Sequence, residues 1–143
     1  MRPATVRYYF DADILGLGKV VARLRPDATY PGDPGAVVRK RRRSPCTIAS
    51  TDVDDVEWIP RIAADGMIAI SRDSKISRRI AEVEAVVQHK LRLVVLTSAD
   101  AGTVWAQLEV LMCQWRGIER LVDIPGPYIY RASRTQLRAV QLP

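Results

Sequence analysis

The chain holds one histidine, one phenylalanine and two cysteines among its 143 residues. Cys46 and Cys113 stand far apart with no histidine beside them, so no zinc-ligand spacing exists. A disulfide between them would be unusual in a chain without a secretion signal. His89 ends a helical pattern next to Lys90 and reads as a C-terminal helix residue, and no Ser-His-Asp arrangement can be built around it. Gly16 and Gly18 lack a following Lys-Ser/Thr, which excludes a Gly-rich phosphate loop. Residues 1–9 carry no apolar signal core, and no segment approaches the roughly 20 apolar residues of a membrane span. The expectation is a cytoplasmic protein with no membrane partner.

What remains is an ordinary globular composition, 48% hydrophobic and 27% charged. The length suits one domain, residues 1–143, with enough interior for a core. The net charge of +6 favours polyanionic partners, although many domains are basic for no specific reason.

Strand-like and helix-like segments alternate. Thr5–Phe10 is rich in β-formers and stops at Asp11-Ala12-Asp13. Ile14, Leu17, Val20, Val21 and Leu24 follow at helical spacing. Ala28-Thr29-Tyr30 is a short strand leading into the turn cluster Pro31-Gly32-Asp33-Pro34-Gly35. Residues 36–53 show no clear periodicity. A helix is predicted from about Asp55 to Asp65, with Gly66 as its stop and Pro60 delaying or kinking it. Met67–Ile70 is wholly apolar, the pattern of a strand covered on both faces, and Ser71-Arg72-Asp73 ends it. Ser77 is a candidate cap for a helix reaching His89; Leu91–Leu96 is a strand; Thr103–Trp115 is a helix. Pro127–Gln141 alternates as a terminal strand or hairpin. Trp105 and Trp115 sit at helical positions and read as core or dimer interface. The alternation predicts an α/β domain, a mainly parallel sheet with helices on both faces.

Parallel strands joined by helices bring their C-terminal ends to one edge, where ligands bind. Two strands end there in carboxylates, at Asp11 and Asp13 and at Asp73. Asp52, Asp54, Asp55 and Glu57 cluster at the start of the helix feeding the second strand. Each alone also reads as a helix cap, and Asp54 with Glu57 spells a capping box. Together they would repel one another without a cation. An oxygen-rich, cysteine-free set suits Mg²⁺ or Mn²⁺.

Asp11-Ala12-Asp13-Ile14-Leu15 resembles the opening motif of PIN domains, in which an Asp is followed at the third position by Asn or Ser and then two hydrophobic residues. Asp55–Ile59, Ala63-Ala64-Asp65-Gly66 and Ile68–Asp73 resemble that family's later helix and its strand ending in Thr/Ser-x-Asp. The chain is most similar to the VapC-type group, in a compact branch related to Mut7-C-type domains, over roughly residues 5–97. The resemblance implies a three-layer fold and a Mg²⁺- or Mn²⁺-dependent endoribonuclease, often the toxin of a toxin–antitoxin pair. An antitoxin protein and a homodimer are the implied partners beside RNA. Carried over, Asp11, Asp55 and Asp73 are catalytic, and the metal set is Asp11, Asp13, Asp55 and Asp73. Ser71 and Glu57 support it. Asp13 stands where the family has Asn or Ser. The family's central acidic residue has no clear match; Asp33, in a turn, is the only carboxylate between Asp27 and Asp52.

Arg39-Lys40-Arg41-Arg42-Arg43 has three readings: a mobile loop gripping RNA phosphates, a dock for an acidic antitoxin segment, or a solvated loop. Arg72 and Lys75 flank Asp73 and have two readings, phosphate contacts or solvated surface charges. Two rival functions stay open. One is a PIN-like module that binds RNA or protein without catalysis, favoured by the missing central carboxylate. The other is a receiver domain, which lacks its late Lys here.

Overall fold

The computed structural model describes residues 1–72, 80–97 and 99–143. Its main sheet has six strands in the order β3-β2-β6-β7-β8-β9: β3 Ala28–Thr29, β2 Tyr8–Phe10, β6 Ile68–Arg72, β7 Arg92–Leu96, β8 Tyr128–Ala132 and β9 Leu137–Ala139. The first five run parallel, and only β9 returns antiparallel, as a hairpin with β8. Four α-helices flank this sheet among the described residues: α1 Leu15–Leu24, α2 Asp55–Ala64, α3 Ile80–His89 and α4 Val104–Leu121. The candidate cap Ser77 lies outside the described residues.

Strand alternation sorts the core into two halves. Tyr8, Phe10, Ile68, Ile70, Val94 and Leu96 face α1 and α4, whereas Tyr9, Ala69, Leu93, Val95 and Ile129 face α2 and α3. The fold is therefore three layers, helices–sheet–helices. The apolar runs of β6 and β7 are buried throughout, as a strand covered on both faces requires.

Small residues let α1 lie close to the sheet. A Cβ added at Gly18 would stand 2.8 Å from Phe10 Cβ and 3.2 Å from Tyr30 Cβ. On α2, Pro60 is accommodated inside a continuous helix. The carbonyl its missing N–H would have bonded belongs to Val56, which is exposed, so water can take that place. On α4, the Thr103 hydroxyl accepts from the Ala106 N–H and caps the start, and the helix runs a turn and a half beyond the expected end at Trp115.

The stretch without periodicity is a second, three-stranded sheet in the order β1-β5-β4, with β1 Arg2–Pro3, β4 Ala36–Val38 and β5 Arg41–Arg43. The basic run is thus a strand and a tight turn. Val38 pairs with Arg41, leaving Arg39 and Lys40 as a two-residue loop, both with positive φ (52° and 64°).

One residue of that run departs from its expected role. Arg43 does not offer a nucleic-acid contact: it is buried, its Nε donating to Asp33 Oδ2 at 2.7 Å and its Nη1 to the Ala22 and Arg25 carbonyls at 3.0 and 3.3 Å. Its position at the end of β5 explains it, because there Asp33 and the carbonyls at the end of α1 meet it, whereas Arg41 and Arg42 stay exposed. Arg39, Lys40, Arg41 and Arg42 remain exposed.

Candidate active site

The chain leaves β2 through α1 to β3 on one side, and the next main-sheet strand, β6, lies on the other side of β2. This reversal opens a crevice at the C-terminal ends of β2 and β6, the place where open parallel sheets bind ligands. Asp11 follows β2 at that point, and its N–H donates to the Ile70 carbonyl at 2.9 Å. Because Phe10 pairs with Ile70, Asp11 stands beside Ser71. Alternation puts Asp11 and Ser71 on the face of Tyr9 and Ala69, the face covered by α2.

Asp11 caps a short 3₁₀ turn, Ala12–Ile14, its Oδ1 accepting from the Ala12 N–H at 2.7 Å. The cap reading therefore holds for Asp11, and it accounts for one oxygen. The carboxyl is buried, and its pKa is raised to about 7, first by desolvation, then by the charges of Asp13 and Asp55; the Ala12 N–H opposes them. Asp13 Oδ2 accepts from the Arg72 N–H at 3.2 Å. Its pKa is raised to about 6, again by desolvation first, with the Arg72 N–H and guanidinium acting the other way and Asp55 adding to the rise. Asp13 keeps an open flank, so solvent screens it more, and its rise is the smaller.

Asp55 opens α2, where the helix dipole favours a carboxylate. Its Oδ1 accepts from Trp58 Nε1 at 2.8 Å, and the Trp58 ring in turn leans on Tyr9 at 5.3 Å between centroids. Trp58 thus links Asp55 to β2. Sequence reading missed that role; an Asp followed three residues on by a Trp at helical spacing is the signal that could have found it. Asp54 occupies the N-cap position with no side-chain cap bond, so the capping box expected with Glu57 does not form. Asp55, rather than Asp54, carries the electrostatic link to Asp11 and Asp13.

Ser71 Oγ is fully buried and has no hydrogen-bond partner among the described residues. An unsatisfied hydroxyl costs about 1–3 kcal/mol, and a water or ligand in the crevice would satisfy it. Glu57 is exposed in the first turn of α2 and is not among the charges that shift Asp11 or Asp13. Asp73 and Lys75 lie outside the described residues. Asp33, the carboxylate nearest in sequence to the unfilled central position, is committed elsewhere, to Arg43, Thr29 and the Gly35 N–H.

Among the described residues, no three His, Cys, Asp or Glu side chains are grouped closely enough to hold an ion unaided. The donor chemistry present nonetheless fits a hard divalent cation. Asp11 is a buried carboxylate and Asp13 a solvent-flanked one beside it, neither forms an ion pair among the described residues, and Ser71 supplies an orphaned oxygen. Magnesium ordinarily completes such a partial set with water and substrate phosphate.

The chain belongs to the PIN like domain family, whose pattern matches residues 7–98. No curated protein and no solved structure matches it. The matched span carries β2 through β7 and with it every residue of the crevice; α4, β8 and β9 extend the sheet beyond it. No helix among the described residues is long and apolar enough to cross a membrane.

Proposed function

We propose that this chain is a Mg²⁺- or Mn²⁺-dependent endoribonuclease of the VapC-like type, related to the Mut7-C branch, acting as a cytoplasmic toxin held in check by an antitoxin protein. The observation that carries the reading is the pair Asp11 and Asp13, two carboxyls pushed up to about 7 and 6 at the topological switch point. A buried carboxyl such as Asp11 with other carboxylates close by marks a functional site, and the family is one in which such groups hold metal.

In this reading Asp11, Asp13 and Asp73 would hold the ion, and the buried Ser71 Oγ would bind a water in the crevice beside them. The ion supplies an oriented, acidified water and neutralises charge building on the phosphoryl oxygens. Asp55, restrained by Trp58, takes the proton of the attacking water or holds that water in line. Arg72 and Lys75 bind the phosphate, and Glu57 contributes only background field. The exposed cations Arg39 to Arg42 hold the RNA strand. Trp105, 78% exposed on α4, suits burial in a homodimer.

RNA cleavage in Mn²⁺ tests this, with the wild type beside Asp11→Asn and Asp73→Asn. Wild type should cut and both variants should lose at least a hundredfold. A wild type that cuts nothing, or variants that cut equally well, sink the nuclease.

One observation favours a second reading, a PIN-like RNA- or protein-binding module without catalysis. Asp33 is tied into a buried ion pair, so the central acidic position of longer relatives stays unfilled. RNA binding that survives in EDTA without any cleavage in Mn²⁺ would support it.

A further inference from the structure

A cleft of about 360 Å³ lies between α1 and the β4–β5 hairpin, lined by Lys19, Arg23, Tyr30 and the buried Asp33–Arg43 pair. We propose that this cleft is a subsite for one unstacked nucleotide of single-stranded RNA, with Lys19 and Arg23 on its phosphate and the Tyr30 ring under its base.

Charge makes the first part of the case. Residues 19–43 contain eight Lys or Arg and two Asp, a surplus of six that equals the net charge of the entire chain. The remainder is neutral, so the positive field is concentrated on α1 and the hairpin. Both carboxylates of that segment are already paired, Asp27 with Arg25 and Asp33 with Arg43. Lys19 and Arg23 stand one helical turn apart on the exposed side of α1, and neither has a carboxylate partner among the described residues.

Shape makes the second. The volume falls at the low end of small-ligand sites, about 300–1,000 Å³, room for one nucleotide and not for a duplex. A base can enter only when unstacked, and aromatic faces bind such bases with little regard to sequence. Tyr30 is held in place from behind, where its Cβ backs onto Gly18. The floor is fixed too: Gly35, at φ 84°, lies so close to β5 that no Cβ fits between them.

Position makes the third. Tyr30 follows β3, and the β2–β3 register puts it beside Phe10, one residue before Asp11. Tyr30, at the mouth of the cleft, and Asp11 therefore both stand at the C-terminal ends of neighbouring strands.

The inference rests on RNA being the ligand and not on catalysis, so binding is measured in EDTA. The probes are a fluorescent single-stranded RNA and the same sequence as a duplex, titrated at several salt concentrations. The single strand should bind at least tenfold more tightly than the duplex. Lys19→Gln with Arg23→Gln should weaken it about tenfold and lower the slope of log affinity against log salt by about 1.4. Tyr30→Leu should weaken it at least fivefold while leaving the salt slope unchanged, because stacking releases no counterions. The control, Arg116→Gln with Arg120→Gln on α4, removes the same charge elsewhere and should change affinity less than twofold. Thermal midpoints check that each variant folds.

Equal loss in the control, equal affinity for the duplex, or displacement of RNA by polyglutamate as readily as by unlabelled RNA would overturn the assignment. The last result would point to an acidic protein segment. Cleavage in Mn²⁺ by a Lys19→Gln/Arg23→Gln variant with undiminished affinity sinks the cleft alone. Tight, cleft-dependent binding without cleavage sinks the nuclease alone.

Discussion

Arg43 and Asp33 form a buried ion pair, 2.7 Å from Nε to Oδ2, with 3% and 1% of their side chains accessible. The pair joins the hairpin to the turn after β3, and Arg43 goes on to take two carbonyls at the end of α1. Removing one partner leaves an uncompensated charge in the interior. Arg43→Met should therefore cost about 3–5 kcal/mol, read as a lower denaturant midpoint. Arg42→Met, one residue away and facing solvent, should stay within about 0.5 kcal/mol and weaken RNA binding instead.

The two-residue turn of the hairpin makes a second comparison. Arg39 and Lys40 both hold positive φ, a conformation that suits Asn-Gly and strains long side chains. Arg39→Asn with Lys40→Gly should stabilise the fold by about 1–2 kcal/mol and reduce RNA affinity in low salt. If affinity in 50 mM salt is untouched, the turn cations take no part in binding.

The acidic crevice sets a pH dependence. Asp11 and Asp13 titrate above the ordinary carboxylate value in the folded chain, near 7 and 6. The folded state then binds more protons than the unfolded one between about pH 4 and 7. Stability due to these two groups is full below pH 4 and is lost as pH rises through 6 and 7. Asp11→Asn should remove much of that decline. Adding Mg²⁺ or Mn²⁺ at pH 7.5 should raise the thermal midpoint, because the ion binds the ionised folded form. No rise with either ion would count against metal binding at this site.

Gly18 tests the approach of α1 to the sheet. Alanine favours a helix over glycine by about 1 kcal/mol. Its Cβ, however, would meet Phe10 Cβ at 2.8 Å and Tyr30 Cβ at 3.2 Å, on parts of those residues that cannot swing away. Overpacking of this kind costs about 1–3 kcal/mol, so Gly18→Ala should come out destabilising. A stabilised variant would show that α1 can lift from β2.

Where the sequence was legible, one periodicity dominated. The apolar runs Met67–Ile70 and Leu91–Leu96 appear as the central strands β6 and β7, and Leu17 and Val21 face the core from α1 as their spacing requires. The basic run gives little signal of its own, because Arg at every position of β5 leaves no apolar pattern. Apolar pattern is the usual guide to which side is inward, and here only tertiary contact separates Arg43 from Arg42. For the same reason the sequence shows Asp33 as the turn residue it is but not its ion pair, whose partner lies ten positions away.

By itself the sequence determined the alternating α/β order, the placement of Asp11 and Asp13 at a strand end and the positive surplus between residues 19 and 43. These are local properties, fixed by spacing and by charge. Only the tertiary structure decided that Asp55 is coupled to Asp11, that Ser71 Oγ is buried with no partner among the described residues, and that Asp33 belongs to the scaffold. Each of those depends on which strands become neighbours and on how much water they exclude. Desolvation, the largest influence on Asp11 and Asp13, is a property of the packed crevice, and no run of residues carries it.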